Sequence, residues 1–321
     1  MNLSRTSLAT LALGLVPAGL LAGLPADPKE REKAVGQPTA VEVRPASVTL
    51  DCPRAVQQMI VTGKYADGTI RDLTPFASFT SETPDLLETT GGFLRGKRNG
   101  NTQLAIQVGG QTARVPVTVT KLDQPQQVSF RQDVIAGLNV GGCNAGACHG
   151  TPSGKNGFRL SLRGFDPAQD YLQLTRDVWG RRTDKQDALA SLLLQKGLGR
   201  VPHEGGARFG ADTVAAQAIA AWVGQGMPDD PPTRPTVVKA EVLPGARVLK
   251  APARWQQLAV VAHLSDKTTR DVTRLTVFTS SDPSVAEVSP ALSAVIMQAL
   301  SKDREQRPRT ALDFLALLEQ A

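Results

Sequence analysis

Aromatic residues are scarce in this chain: 4% of 321 residues, with 2 Tyr, 3 Trp and 9 Phe. That scarcity speaks against one large helical core. The 29 Gly and 22 Pro favour strands, turns and loops instead. Cysteine is rarer still, at 3. Cys143 and Cys148 form one close pair, and no second pair exists to complete a four-donor zinc site. No cysteine follows the apolar run at residues 8–24, which removes the attachment point of a lipoprotein anchor. The densest basic spot, Arg95-Gly96-Lys97-Arg98, has no interleaved aromatics. With a net charge of only +6 spread along the chain, that spot reads as a solvated hairpin tip, and nucleic acid is not expected as a partner. Cys52, the odd cysteine, reads as a small buried residue at a strand end.

The N-terminus has export character. Arg5 precedes the apolar run, which Gly14, Pro17 and Gly19 interrupt, and Leu24-Pro25-Ala26 is a small-residue cleavage site. Residues 1–26 are therefore expected to be a signal peptide, and the mature chain periplasmic or at the cell surface. An uncleaved anchor is the alternative and the one membrane association expected. Residues 27–38, with five charges at Lys29-Glu30-Arg31-Glu32-Lys33, read as a solvated linker.

Residues 39–122 carry a β pattern. Met59-Ile60-Val61-Thr62-Gly63-Lys64-Tyr65 alternates between two faces, and Ala66-Asp67-Gly68-Thr69 predicts a hairpin turn. A shift of 199 residues superposes a second copy without gaps. Asp67, Thr69, Arg71-Asp72 and Thr74 meet Asp266, Thr268, Arg270-Asp271 and Thr273; Phe79-Thr80-Ser81 meets Phe278-Thr279-Ser280. The second copy keeps Ser280-Ser281-Asp282-Pro283-Ser284-Val285-Ala286-Glu287-Val288 and has Lys267 where the turn glycine belongs. The pattern resembles the bacterial Ig-like group 2 domain. That resemblance implies two Ig-like sandwiches serving as spacers or adhesion units, at 39–122 and, truncated, at 235–290. His263 lies in a strand of the second copy and reads as a surface or core residue.

Residues 123–232 change character. Their centre is Gly142-Cys143-Asn144-Ala145-Gly146-Ala147-Cys148-His149-Gly150. Two cysteines followed at once by histidine suit a c-type haem: both thiols form thioethers and the imidazole is the proximal iron ligand. Four residues separate the cysteines where two are usual. A disulfide closing a small loop uses the same cysteines in an exported protein. Helices are predicted over 128–138, after Asp166-Pro167, over 184–198 and over 212–224. These suggest a small all-α domain. His203 and Met227 are the candidates for the sixth iron position, His203 being favoured. Arg181 and Arg182 are candidate partners of haem propionates, or else solvated helix-end residues.

Four motifs in order, "G-C-N-A-G-A-C-H-G", "K-N-G-F-R-L-S-L-R-G-F-D-P", "V-P-H-E-G-G-A-R-F" and "W-V-G-Q-G-M-P", resemble the cytochrome c-like domain of large planctomycete exported proteins. The resemblance covers about 125–232. It implies one covalent haem c on Cys143 and Cys148, with iron on His149, and electron transfer to an unidentified redox partner protein.

Residues 291–321 break the repeat and are helical in period. Leu300-Ser301-Lys302-Asp303 through Arg307-Pro308 resembles the C-terminal end of a bacterial serine/threonine kinase. Neither a glycine loop with a strand lysine nor an H-R-D or D-F-G motif is present, so no phosphoryl transfer is expected. The expected fold is thus an all-β Ig-like sandwich, a small all-α cytochrome c-like domain, and a partial second sandwich with a helical tail. The expected function is exported electron transfer without bond chemistry. A non-enzymatic adhesion protein with a disulfide loop and a kinase-fusion fragment are the alternatives.

Overall fold

A computed structural model describes residues 24–25 and 27–288. Contacts divide the chain into two units, Lys29–Phe278 and Met1–Pro28 with Thr279–Ala321. The strands of both repeats and the segment between them all lie in Lys29–Phe278. The kinase-like tail and nearly all of the signal segment lie outside the described residues.

The segment expected as a linker contains a helix, α1 (Pro28–Val35). Proline in the first turn, Glu30 early and Lys33 late all suit a helix and its dipole. The helix ends against the first repeat, where the Tyr65 hydroxyl donates to the Val35 carbonyl and Arg71 Nη1 donates to the Ala34 carbonyl at 3.3 Å.

The first repeat has ten strands: β1 (Ala40–Arg44), β2 (Val48–Leu50), β3 (Val56–Gln58), β4 (Ile60–Lys64), β5 (Ile70–Asp72), β6 (Ser78–Ser81), β7 (Leu87–Thr90), β8 (Phe93–Gly96), β9 (Gly100–Val108) and β10 (Gln111–Val119). They pair as β1-β4-β5, β2-β10-β9-β6 and β3-β8-β7. Along β10, Val115, Val117 and Val119 point inward while their neighbours face water, as the two-residue period of a strand dictates. They meet Leu104 and Ile106 of β9 and Met59, Leu73 and Leu94 in one core.

The second repeat supplies β11 (Val237–Leu243), β12 (Ala259–Leu264) and β13 (Thr269–Asp271), ordered β11-β12-β13. β12 and β13 begin at the positions equivalent to the starts of β4 and β5 under the sequence repeat. In the turn between them Lys267 takes φ +69°, where Gly68 takes +77° in the first copy. The two repeats pack together: Trp255 meets Phe76 edge-on at 5.7 Å, and the Arg274 guanidinium lies 4.8 Å over the Phe93 ring.

The middle segment departs from expectation. A π-turn, Phe130–Val134, runs into α2 (Ile135–Val140); α3 (Pro167–Thr175), α4 (Leu192–Gly197) and α5 (Val214–Gly224) follow. The described residues contain thirteen strands in four sheets against five α-helices, none longer than 11 residues. This overturns the expected succession of a sandwich, a small all-α cytochrome c-like domain and a partial sandwich. The physical reasons are local. Asp184 Oδ1 accepts from the amides of Gln186 and Asp187, and Asp187 Oδ1 accepts from those of Leu189 and Ala190. Such side-chain bonds compete with helix, and they leave only six residues of α4 where the sequence predicts a helix over 184–198. After α3, Val178 and Trp179 take left-handed φ of 49° and 59°, which stops any continuation. What remains packs around Phe130, Leu138, Leu160 and Trp222, all fully buried.

Candidate functional site

The Cys–Cys–His loop begins where α2 ends. The Cys143 amide donates to the Leu138 carbonyl at 2.9 Å, and the His149 amide returns to the Cys143 carbonyl at 2.9 Å. The loop therefore closes on itself and carries His149 back over its own start. Gly150 is required at the closure: a Cβ there would lie 2.2 Å from the Asn144 carbonyl oxygen. Cys143 is buried and Cys148 half-buried, and both thiols are free. Burial pushes the Cys143 thiol up to about 11, opposed by the charge of Arg208.

His149 is half-buried, and its Nδ1 lies 2.9 Å from the Phe158 carbonyl oxygen. A carbonyl only accepts, so in the neutral ring Nδ1 holds the proton and Nε2 the free lone pair. The Phe158 ring stacks beside it at 4.5 Å. Burial holds the His149 pKa below the ordinary imidazole value, opposed by the Phe158 hydrogen bond.

His203 repeats the arrangement on a second loop. Its Nδ1 lies 2.9 Å from the Gly206 carbonyl oxygen, which again leaves the lone pair on Nε2. Gly206 reaches that position with φ +65°, a left-handed conformation that glycine adopts freely. The His203 ring also rests on Gly205, where a Cβ would come within 3.0 Å of Cε1.

The two imidazoles lie near each other as a stacked pair. Their planes are parallel to within 4° and their centroids lie 6.3 Å apart. Two imidazoles on opposite sides of one metal have their centroids about 6 Å apart, given about 2 Å from metal to nitrogen and about 1 Å from nitrogen to ring centre. Anchoring Nδ1 to a backbone carbonyl is the usual outer-shell arrangement of a ligating histidine. Two imidazoles are too few for a zinc site, and among the described residues no group of three or more His, Cys, Asp or Glu gathers to hold a bare ion. A porphyrin supplies the missing four donors itself. The donors that could hold a haem are two free thiols in one loop and two imidazoles whose centroids lie 6.3 Å apart.

A further buried group lies inside the same loop. The Asn144 side chain is fully buried, and neither of its amide atoms has a hydrogen-bond partner among the described residues.

The other sequence candidates lie elsewhere. Met227 is buried in the apolar core with Trp222 and Val223, its amide donating to the Trp222 carbonyl at 2.9 Å. Arg181 is exposed in a turn. Arg182 is 7% exposed and fully engaged. Its Nη1 donates to the Gln173 carbonyl at 3.0 Å and to Asp177 Oδ2 at 2.9 Å, and its Nη2 to the Gly157 carbonyl at 2.8 Å. Its guanidinium lies 4.5 Å over Phe158, so it braces the loop that anchors His149.

Sequence reasoning missed Arg208. It lies in the same motif as His203, and its spacing after that histidine was the available signal.

No family model matches the chain, and no curated protein matches it. Among solved structures it is similar to domains 5–6 of the S-layer protein SbsC, with 21% identity and a TM-score of 0.22 over 25% of this chain and 43% of that one. Domains 4 and 5 of the same protein give 20% identity and a TM-score of 0.21, over 25% and 51%. The chain thus spans about half the length of these structures or less.

Proposed function

We propose that this chain is an exported electron carrier with one haem bound covalently through Cys143 and Cys148. His149 and His203 are the residues that would hold its iron. The observation that carries this reading is the pair of parallel imidazoles 6.3 Å apart, each with Nδ1 tied to a carbonyl. When bound, haem supplies a one-electron iron couple. The chain's own residues would present both imidazoles in the tautomer that ligates, and would limit water at the buried Cys143 side. A second imidazole instead of the Met227 thioether sets a lower potential. The export signal supports a periplasmic or surface location. No helix among the described residues is long and apolar enough to cross a membrane. The redox partner is a protein that meets the exposed edge of the Cys–His loop at Gly146 and Ala147.

Expression with haem-maturation machinery tests the reading. Purified chain is expected to stain for haem on a denaturing gel, and its mass to rise by one haem. A reduced pyridine spectrum counts the bonded vinyls, two in the wild type and one in C143S or C148S. Colourless mature chain with Cys143 joined to Cys148 would overturn it and leave a sandwich-built surface scaffold.

A further inference from the structure

We infer that Arg208 is the positioning residue that sets the gap between the two imidazoles; this rests on His149 and His203 being axial ligands. The guanidinium spans the two loops that carry them. Its Nε donates to the Gly141 carbonyl at 2.5 Å, and its Nη1 donates to the Gly205 carbonyl at 3.0 Å. Gly141 caps α2, directly before the Cys–Cys–His loop. Gly205 is the platform under the His203 ring. One planar fork therefore ties the start of one ligand loop to the base of the other. Lysine has a single ammonium and no such fork, so it cannot hold both carbonyls at fixed spacing.

The rest of the residue is anchored to match. The Arg208 amide donates to the Gly197 carbonyl at 2.7 Å, at the end of α4. The neighbouring Phe209 ring packs against Gly141 and Gly197, where added Cβ atoms would come within 3.0 Å and 2.6 Å of it. On the His203 side, Lys196 Nζ donates to the Pro202 carbonyl at 2.8 Å. The His203 loop is thus held by α4 at one end and by Arg208 at the other. Without the fork, its middle, which carries the imidazole, has no direct tie to the Cys–His loop among these bonds.

The test compares wild type with R208K and R208Q in the haem-loaded full chain. Wild type is expected to be low-spin with two axial nitrogens. Its near-parallel ring planes give a rhombic low-spin electron paramagnetic resonance signal. Both variants are expected to keep the covalent haem, with an unchanged pyridine spectrum, yet to shift toward high-spin ferric bands. Added imidazole is expected to restore the low-spin spectrum, a rescue that general unfolding would not permit. An unchanged low-spin spectrum and midpoint potential in R208K would overturn the proposal. If wild type takes up no haem, the haem reading fails by itself, and Cu(II) added to the haem-free chain then decides the positioning. Hyperfine coupling to two imidazole nitrogens in wild type and one in R208K upholds it. Equal coupling in both overturns it.

Discussion

Asp72 and Asp271 stand at equivalent positions of the two repeats, and each accepts a backbone hydrogen bond from the other copy. Asp72 Oδ2 takes the Gln257 amide, and Asp271 Oδ2 takes the Gln58 amide at 2.6 Å. Gln257 and Gln58 are themselves equivalent under the sequence shift, so the contact is reciprocal, as in an isologous dimer. Within its own hairpin each carboxylate also accepts from a threonine amide, Thr74 at 2.9 Å and Thr273 at 2.8 Å.

Burial raises the pKa of both carboxyls, with the hydrogen bonds opposing. A folded pKa above the unfolded one gives a stabilising contribution that is complete below the unfolded value and is lost as pH rises through the folded one. The wild type is therefore expected to lose stability relative to the double variant D72N/D271N as pH climbs above the ordinary carboxylate range. Thermal melts of both proteins across that range measure it. A constant difference between them would show that the two carboxyls do not titrate abnormally.

Arg270 of the second repeat pairs with Asp133, which is 3% exposed in the π-turn before α2. Arg270→Ala strands that carboxylate. A fully buried pair costs roughly 3–5 kcal/mol to break this way. Because the Arg270 side chain is 37% exposed, about 2 kcal/mol is expected here. Denaturant melts of R270A, D133N and the double variant give the coupling. Additive losses would show that the pair contributes nothing.

Trp222 is fully buried against Phe130, 5.1 Å between centroids, and its Nε1 donates to the Pro228 carbonyl at 2.9 Å. Trp222→Ala is expected to cost about 4 kcal/mol, read from the midpoint of chemical unfolding. A loss below about 1 kcal/mol would mean that the ring is not part of the core.

Gly206→Ala meets no neighbour within 4 Å but must hold φ +65°, which costs about 1 kcal/mol. Gly205→Ala pushes on the His203 ring instead. The haem-loaded G205A protein is expected to lose low-spin character while G206A keeps most of it. The reverse order would place the platform under His203 wrongly.

The repeat was legible in the sequence because identical turn and strand residues recur at one spacing. Asp67–Thr69 and Asp266–Thr268 make the same side-chain bonds, Asp Oδ1 accepting from the threonine amide at 2.9 and 3.0 Å. His149 and His203 were legible as residue types within compact motifs. The middle segment was legible only in part: the helix capped by Asp166 and the one ending at Gly224 form as expected, whereas the one expected over 184–198 is cut by Asp184 and Asp187 bonding to backbone, and left-handed Val178 stops α3. Periodicity cannot register either event. Arg208, and the bracing role of Arg182, escaped for another reason. Most of their partners are main-chain carbonyls, which every residue carries, so no complementary side chain marks them in the sequence.

The Arg270–Asp133 pair has a practical consequence for anyone dissecting this protein. A strand of the second repeat, β13, neutralises a charge at the root of the helix leading into Cys143. Excising residues 123–232 as an independent cassette would sever that tie and leave the carboxylate without its counter-ion. The histidine-bearing insert and its C-terminal flank behave as one inheritance, to be expressed and truncated together.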